Sequence, residues 1–226
     1  MQFETQRLNI RPWQPDQDAC QAMDIFGDAR VMAWVDGEVR DTSIRQVQGR
    51  LQSYKGHSVC GRKAVGSWAV EKKDIGRVIG HIMLLLLPDI RVKQTQLKQT
   101  QLEQTQLEQP CDLTMTDTAI DKEGLSTDYV EIRWHFRPSS WGFGYASEAA
   151  ARVVQYAFEE LQLPMLLAIA RPGNKRSVAL MERLGMQHDG LTTRYYGGEH
   201  LLLYKLFSPE TSKVNSCTSK AEVLDH

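Results

Sequence analysis

The apolar positions along the chain change period several times, and each change predicts an element. "LNIRPW" at 8–13 alternates at Leu8 and Ile10, as a half-buried strand does. Behind it Ala19, Met23 and Phe26 recur near helical spacing after Asp16, a residue type that caps helices. Thr42 heads a second such run, with Ile44, Val47 and Leu51 on one face. "GSWAVEKK" and "GRVIGHIMLLLL" read as two strands joined by a tight turn at Asp74–Gly76. In "DYVEIRWHF", residues 128–136, Val130, Ile132, Trp134 and Phe136 point one way, and Tyr129, Glu131, Arg133 and His135 the other. The cleanest amphipathic run follows: Ala146, Ala149, Ala150, Val153, Val154, Ala157, Phe158 and Leu161 fall at steps of three and four. A strand "MLLAIAR", a helix "NKRSVALMERLG" and a closing strand or hairpin that includes "HLLLYKLF" complete the order. Strand, two helices, three strands, then alternating helix and strand predict an α/β fold, a mixed sheet with helices on its faces.

The pattern fails over residues 88–127. "KQTQL" at 93–97 returns at 98–102, and "EQTQL" follows at 103–107. A step of five turns a helix by about 500°, so Leu97, Leu102 and Leu107 would spiral around it and form no coiled-coil seam. The expectation is a polar, repeat-containing loop inserted into a single domain spanning 1–207. Residues 208–226 read as a polar, disordered tail.

Composition narrows the function classes. The 226 residues suffice for one domain with a real core. Basic and acidic residues number 27 and 28, so no overall charge favours nucleic acid or a membrane surface. Cys20, Cys60, Cys111 and Cys217 are scattered, without metal-binding spacing, as reduced thiols of a cytoplasmic protein are. No metal site is expected. The longest apolar run, "IMLLLL", is strand-sized, and "MQFETQRLNI" lacks a signal core.

Candidate chemistry centres on "RPSSWGFGYASEAAARVV", residues 137–154. Gly142 and Gly144 lie between a strand and the start of a helix. There unpaired N–H groups and the helix dipole favour an anion, and glycine lets a ligand approach the backbone. By itself this fits a phosphate cradle or a plain turn. A Walker loop is excluded, because no G-x-x-x-x-G-K-[S/T] run exists. A Rossmann loop is disfavoured by Ser147 in the third glycine position and by "RP" after the next strand, where an acidic residue would hold a ribose.

"WGFGYASEA" resembles the acetyl-CoA loop of the GCN5-related N-acetyltransferases (GNAT), most of all the ribosomal-protein N-terminal acetyltransferase branch. "ETQRLNIRPW", "RVMAWVDG", "VEIRWHF" and "NKRSVALMERLGM" resemble further segments of that branch, in its order, over roughly 4–207. The resemblance implies a mixed, centrally splayed sheet of six to seven strands flanked by about four helices. It implies acetyl transfer from acetyl-CoA to an amine by direct attack in a ternary complex, in a monomer or homodimer. Two other readings remain: a non-catalytic acyl-CoA-binding module and a dinucleotide-binding protein.

The resemblance also implies roles. The pantetheine arm would pair with the strand edge at Trp134, His135 and Phe136. The pyrophosphate would sit on the loop of Trp141, Gly142, Phe143, Gly144, Tyr145 and Ala146, and Asn174 would bond the arm or simply cap its helix. Glu131 matches the family's strand glutamate and would take the amine's proton, directly or through a water. His135 shares its face, and imidazole titrates near neutral pH. Many relatives place a tyrosine at the position of Met181 to protonate the leaving thiolate. Ser177, one turn earlier, is the nearest hydroxyl, and water is the other option. Ser139 and Phe143 stand where relatives carry Arg or Gln and Lys, which leaves the loop to hold the anion mainly through its backbone. Trp34 and Asp36, with Arg133 on the strand, would line the acceptor pocket.

Overall fold

Short-range signals decide where the helices begin. Pro15 opens α1 (Pro15–Phe26), where a missing N–H costs nothing. The carboxylate that serves this helix start is Asp18, not Asp16: Asp18 Oδ2 accepts from Gln14 N–H at 2.8 Å, while Asp16 lies inside the first turn. Asp28 caps the short α2 (Ala29–Met32), accepting from Arg30 N–H at 2.8 Å. At α3 (Ile44–Lys55) the reciprocal cap is made by Ser43 and Gln46, not by the Thr42 hydroxyl. Gln46 N–H donates to Ser43 Oγ at 3.3 Å, and Ser43 N–H returns a bond to Gln46 Oε1 at 3.1 Å.

The structure is a computed structural model, and it describes residues 1–35, 39–55, 66–87 and 129–211. Asp36 and the expected insertion at 88–127 lie outside the described residues, as do residues 212–226 of the expected tail. The first tail residues are tied to the domain, since buried Ser208 donates its N–H to Pro164 C=O at 2.9 Å.

The described strands are β1 (Phe3–Glu4), β2 (Leu8–Pro12), β3 (Gly66–Lys72), β4 (Arg77–Leu87), β5 (Tyr129–Phe136), β6 (Met165–Ala170), β7 (Gln187–Thr192) and β8 (Leu201–Phe207). They form one sheet in the order β1-β2-β3-β4-β5-β6-β8-β7, eight strands where six to seven were expected. The sequence pattern did not signal two-residue β1, and it left the closing segment open as a strand or a hairpin; β7, a largely exposed edge strand, makes it a hairpin with β8. Every pairing is antiparallel except β5 with β6.

Two layers cover the sheet. On one face α4 (Tyr145–Glu159) buries Ala149, Ala150, Val153 and Ala157 against Ile10, Val70, Ile82, Ile132 and Ala168. Its small residues let the helix axis come close to the strands. On the other face α1 and α3 close over Trp13, Phe26, Val47, Leu51, Ala69 and Val78. α5 (Lys175–Arg183) follows β6 and adds Met181 to the α4 side of the core.

A buried ion network pins β2 to α1. Asp18, 1% exposed, accepts from Arg11 Nη1 at 2.8 Å and Nη2 at 2.9 Å, and Arg11 Nε reaches Glu71 Oε2 at 2.8 Å.

Candidate active site

The site begins where the sheet opens. Among the described residues, parallel β5 and β6 share one registered pair, Glu131 with Leu167. β5 stays paired with β4 as far as Phe136 with Gly80, so its other edge is exposed beyond that point. Arg137 N–H bonds Ile79 C=O on the β4 side. By strand alternation the backbone groups of Trp134 and Phe136 then point to the open edge. The Phe136 carbonyl is engaged there by Trp141 Nε1–H at 2.7 Å.

A cleft of about 650 Å³ occupies the opening. It runs from Trp34 and Arg133, past Trp134, His135 and Phe136, to Trp141, Gly142, Gly144, Tyr145 and Ala146, with Asn174 and Ser177 from α5 along one wall. The structure thus gathers most of the expected residues around one space. Phe143 departs from them: its ring, 61% exposed, lies outside the lining and stacks on Tyr145 at 5.8 Å between centroids. Its carbonyl accepts from Arg7 Nη1 at 3.1 Å, which braces the loop from β2's side.

The loop glycines are required by conformation. Gly142 and Gly144 have φ of 85° and 79°, and an added Cβ at Gly142 would meet nothing within 4 Å. The left-handed backbone is what excludes other residues there. Gly144 is the N-cap of α4, so the helix's unpaired N–H groups open directly behind it. Asn174 caps α5, its side chain accepting from Ser177 N–H at 3.2 Å. Lys175, Arg176 and Arg183 from α5 also line the cleft, and Arg176 lies 4.4 Å over the Trp141 ring. Cationic groups absent from the glycine loop are therefore supplied by the neighbouring helix. The sequence reading missed them because they are remote from the loop along the chain.

On the opposite face of β5 the ionisable residues form two groups. Glu131, 1% exposed, accepts a hydrogen bond from the Tyr196 hydroxyl at Oε2, and Arg133 Nε lies 3.3 Å from the same oxygen. The Arg133 guanidinium stacks on the Tyr196 ring at 4.5 Å. Arg133 and Tyr196 line the cleft and Glu131 does not. Tyr196 was not singled out from the sequence. Its "YYGG" context signals only a turn, not a side chain folded back over β5.

The second group is His135 with His81, aligned by the register of β4 and β5. Their Nδ1 atoms are 3.2 Å apart, and His81 Nε2 lies 2.9 Å from Ser67 Oγ. Burial first, then the Arg133 and Arg50 guanidinium groups, push the His135 imidazole down to about 3. Burial, His135 and the same two arginines hold His81 well below its usual range. Both imidazoles are thereby shifted down, away from the neutral range expected of His135 from the sequence.

This has a sign that can be measured. A histidine whose folded pKa is depressed stabilises fully above its unfolded pKa, about 6.5, and loses that contribution as the pH falls. Urea unfolding between pH 6.5 and 5, above the carboxylate range, should show stability falling by up to about 1.4 kcal/mol per pH unit for each ring. His135→Asn should reduce the slope. A stability that stays flat over this window would contradict the assignment.

Among the described residues no group of three or more His, Cys, Asp or Glu is placed to hold a metal ion, and no helix is long and apolar enough to cross a membrane.

Comparison with known proteins gives this geometry a lineage. The family profile "Acetyltransferase (GNAT) domain" matches residues 7–187. The chain is 40% identical over 60 residues to the Bacillus subtilis protein named "Uncharacterized N-acetyltransferase YnaD", a match covering 26% of this chain and 35% of that protein. The chain thus spans about a third of the length of that curated relative. The crystal structure of an acetyltransferase (GNAT family) from Bacillus anthracis superposes with a TM-score of 0.62 at 20% identity, covering 92% of this chain and 98% of the other. The ribosomal-protein-S5-alanine acetyltransferase from Vibrio fischeri superposes with a TM-score of 0.61 at 14% identity, covering 93% and 98%. These two likenesses bear on the fold, and they agree with the splayed sheet expected from the sequence. With four fifths of its length under one family profile, this chain belongs to the GNAT acetyltransferase family.

Proposed function

We propose that the chain transfers an acetyl group from acetyl-CoA to a primary amine, either a protein N-terminus or a small-molecule amine. The observation that carries this reading is the open β5 edge leading to the Gly142–Gly144 turn at the start of α4. That arrangement suits a long ligand with an extended amide arm and an anionic end. Trp134 and the Phe136 N–H would pair with the arm. The loop N–H groups, with Lys175, Arg176 and Arg183, would hold the phosphates. The acceptor would enter beside Trp34, Arg133 and Tyr196.

In this reading the amine nitrogen attacks the thioester carbonyl and the C–S bond breaks. Glu131 takes one proton from the arriving ammonium group, and the leaving sulfur takes the second. Ser177, one turn before Met181 on α5, or a water would assist there, since Met181 carries no transferable proton. Met181 is also what favours a second reading, a non-catalytic acyl-CoA binder. Calorimetry with coenzyme A and a thiol-release assay over a panel of amines separate the two. Binding with turnover is expected. Binding without turnover across the panel would favour the second reading, and absence of binding would sink both.

A further inference from the structure

We propose that Tyr196 is a catalytic residue whose hydroxyl relays the proton of the incoming ammonium group to Glu131. The proposal rests on the acetyl-transfer reading above and adds a group that the sequence did not point to.

Glu131 is buried and is not part of the cleft lining, so an acceptor amine in the cleft does not reach it directly. Tyr196 lines the cleft, and its hydroxyl donates to Glu131 Oε2. A phenol that donates its proton to a carboxylate still has oxygen lone pairs for another donor. In the proposed relay an ammonium N–H of the acceptor donates to that oxygen. Transfer is then balanced without a phenolate: the N–H bond breaks as its proton reaches the Tyr196 oxygen, while the Tyr196 O–H proton passes to Glu131. The products are a neutral amine, an intact tyrosine and a carboxylic acid. The acid later returns its proton to solvent by the same route.

The surroundings fix the relay in place. Arg133 stacks on the ring at 4.5 Å and lies 3.3 Å from the oxygen that accepts the tyrosine bond, so ring and carboxylate share one brace. The backbone of Tyr196 adopts φ of 49°, left-handed in a non-glycine residue, and is followed by Gly197 and Gly198 at 81° and 88°. That conformation is disfavoured for a residue with a Cβ and persists where the surroundings impose it, most often at functional sites. Here it turns the side chain from the β7–β8 connection back onto β5.

The test compares wild type with Tyr196→Phe, which keeps the ring and its stack on Arg133. The acceptor is the best substrate of the amine panel, and kcat/KM is measured against pH alongside coenzyme A affinity. At pH 7 the variant should lose about 10²-fold or more in kcat with coenzyme A affinity unchanged. Its kcat/KM should rise in proportion to hydroxide up to the amine's own pKa, because solvent then removes the proton. Wild type should instead level off once Glu131 is ionised. A variant that keeps the wild-type pH profile overturns the relay, whatever its rate, and so does one that loses coenzyme A binding, since Tyr196 would then be structural. A wild type that binds coenzyme A but turns over no amine overturns the acetyl-transfer reading itself.

Discussion

Replacing Glu131 by Gln is expected to lower kcat by about 10²–10⁴-fold, the usual worth of a positioned general base. The substitution keeps the volume and an oxygen that can accept from Tyr196, but it removes the site's proton acceptor. Coenzyme A affinity should be nearly unchanged, because the glycine loop and the cationic groups of α5 lie elsewhere in the cleft. Activity should recover as the pH is raised toward the amine's own pKa, where the acceptor arrives already neutral. Retention of more than a tenth of wild-type kcat at pH 7 would remove Glu131 from the mechanism. A parallel loss of coenzyme A binding would mark it as a support for Arg133 and Tyr196.

A second large effect is expected far from the cleft. Asp18→Ala should destabilise the protein by about 3–5 kcal/mol, because breaking one side of a buried pair leaves the other charge uncompensated. Asp18 accepts from both Arg11 Nη atoms and from Gln14 N–H. Glu71 would still hold Arg11 Nε but could not replace the bidentate contact. For a chain of this size each kcal/mol moves Tm by about 2–4 °C, so a fall of roughly 6–20 °C is expected in thermal unfolding. Asp18→Asn, which keeps one acceptor oxygen, should fall between the two. A Tm within about 2 °C of wild type for the alanine variant would show the network to be worth no more than a surface pair.

The elements that the sequence revealed are those whose burial is periodic. α4 and β5 present one apolar face each, and both their positions and their facing directions were legible. β7, "QHDGLT", was not: as an edge strand it is held by hydrogen bonds to β8 and buries almost nothing, so its composition carries no alternation. The helix starts were legible as neighbourhoods but not as atoms. Asp16 and Asp18 both suit the start of α1, and only the fold decides which carboxylate meets Gln14 N–H.

The site divides along the same line. Its glycine loop is local in the chain and carries its own signature. The Glu131–Tyr196–Arg133 group and the His81–His135 pair depend on register and on a loop folding back over 65 and 54 residues of chain. Spacing along the sequence holds no trace of such meetings. The same limit hid Lys175, Arg176 and Arg183, whose relation to the glycine loop is set by where β6 places α5.

The single registered pair between β5 and β6 has a mechanical meaning. Two strands that diverge from one point behave as the arms of a hinge, and the point of divergence moves least when the arms spread. Glu131 stands at that point. A ligand that spreads the two strands is therefore expected to move Glu131 less than the residues nearer the mouth of the cleft.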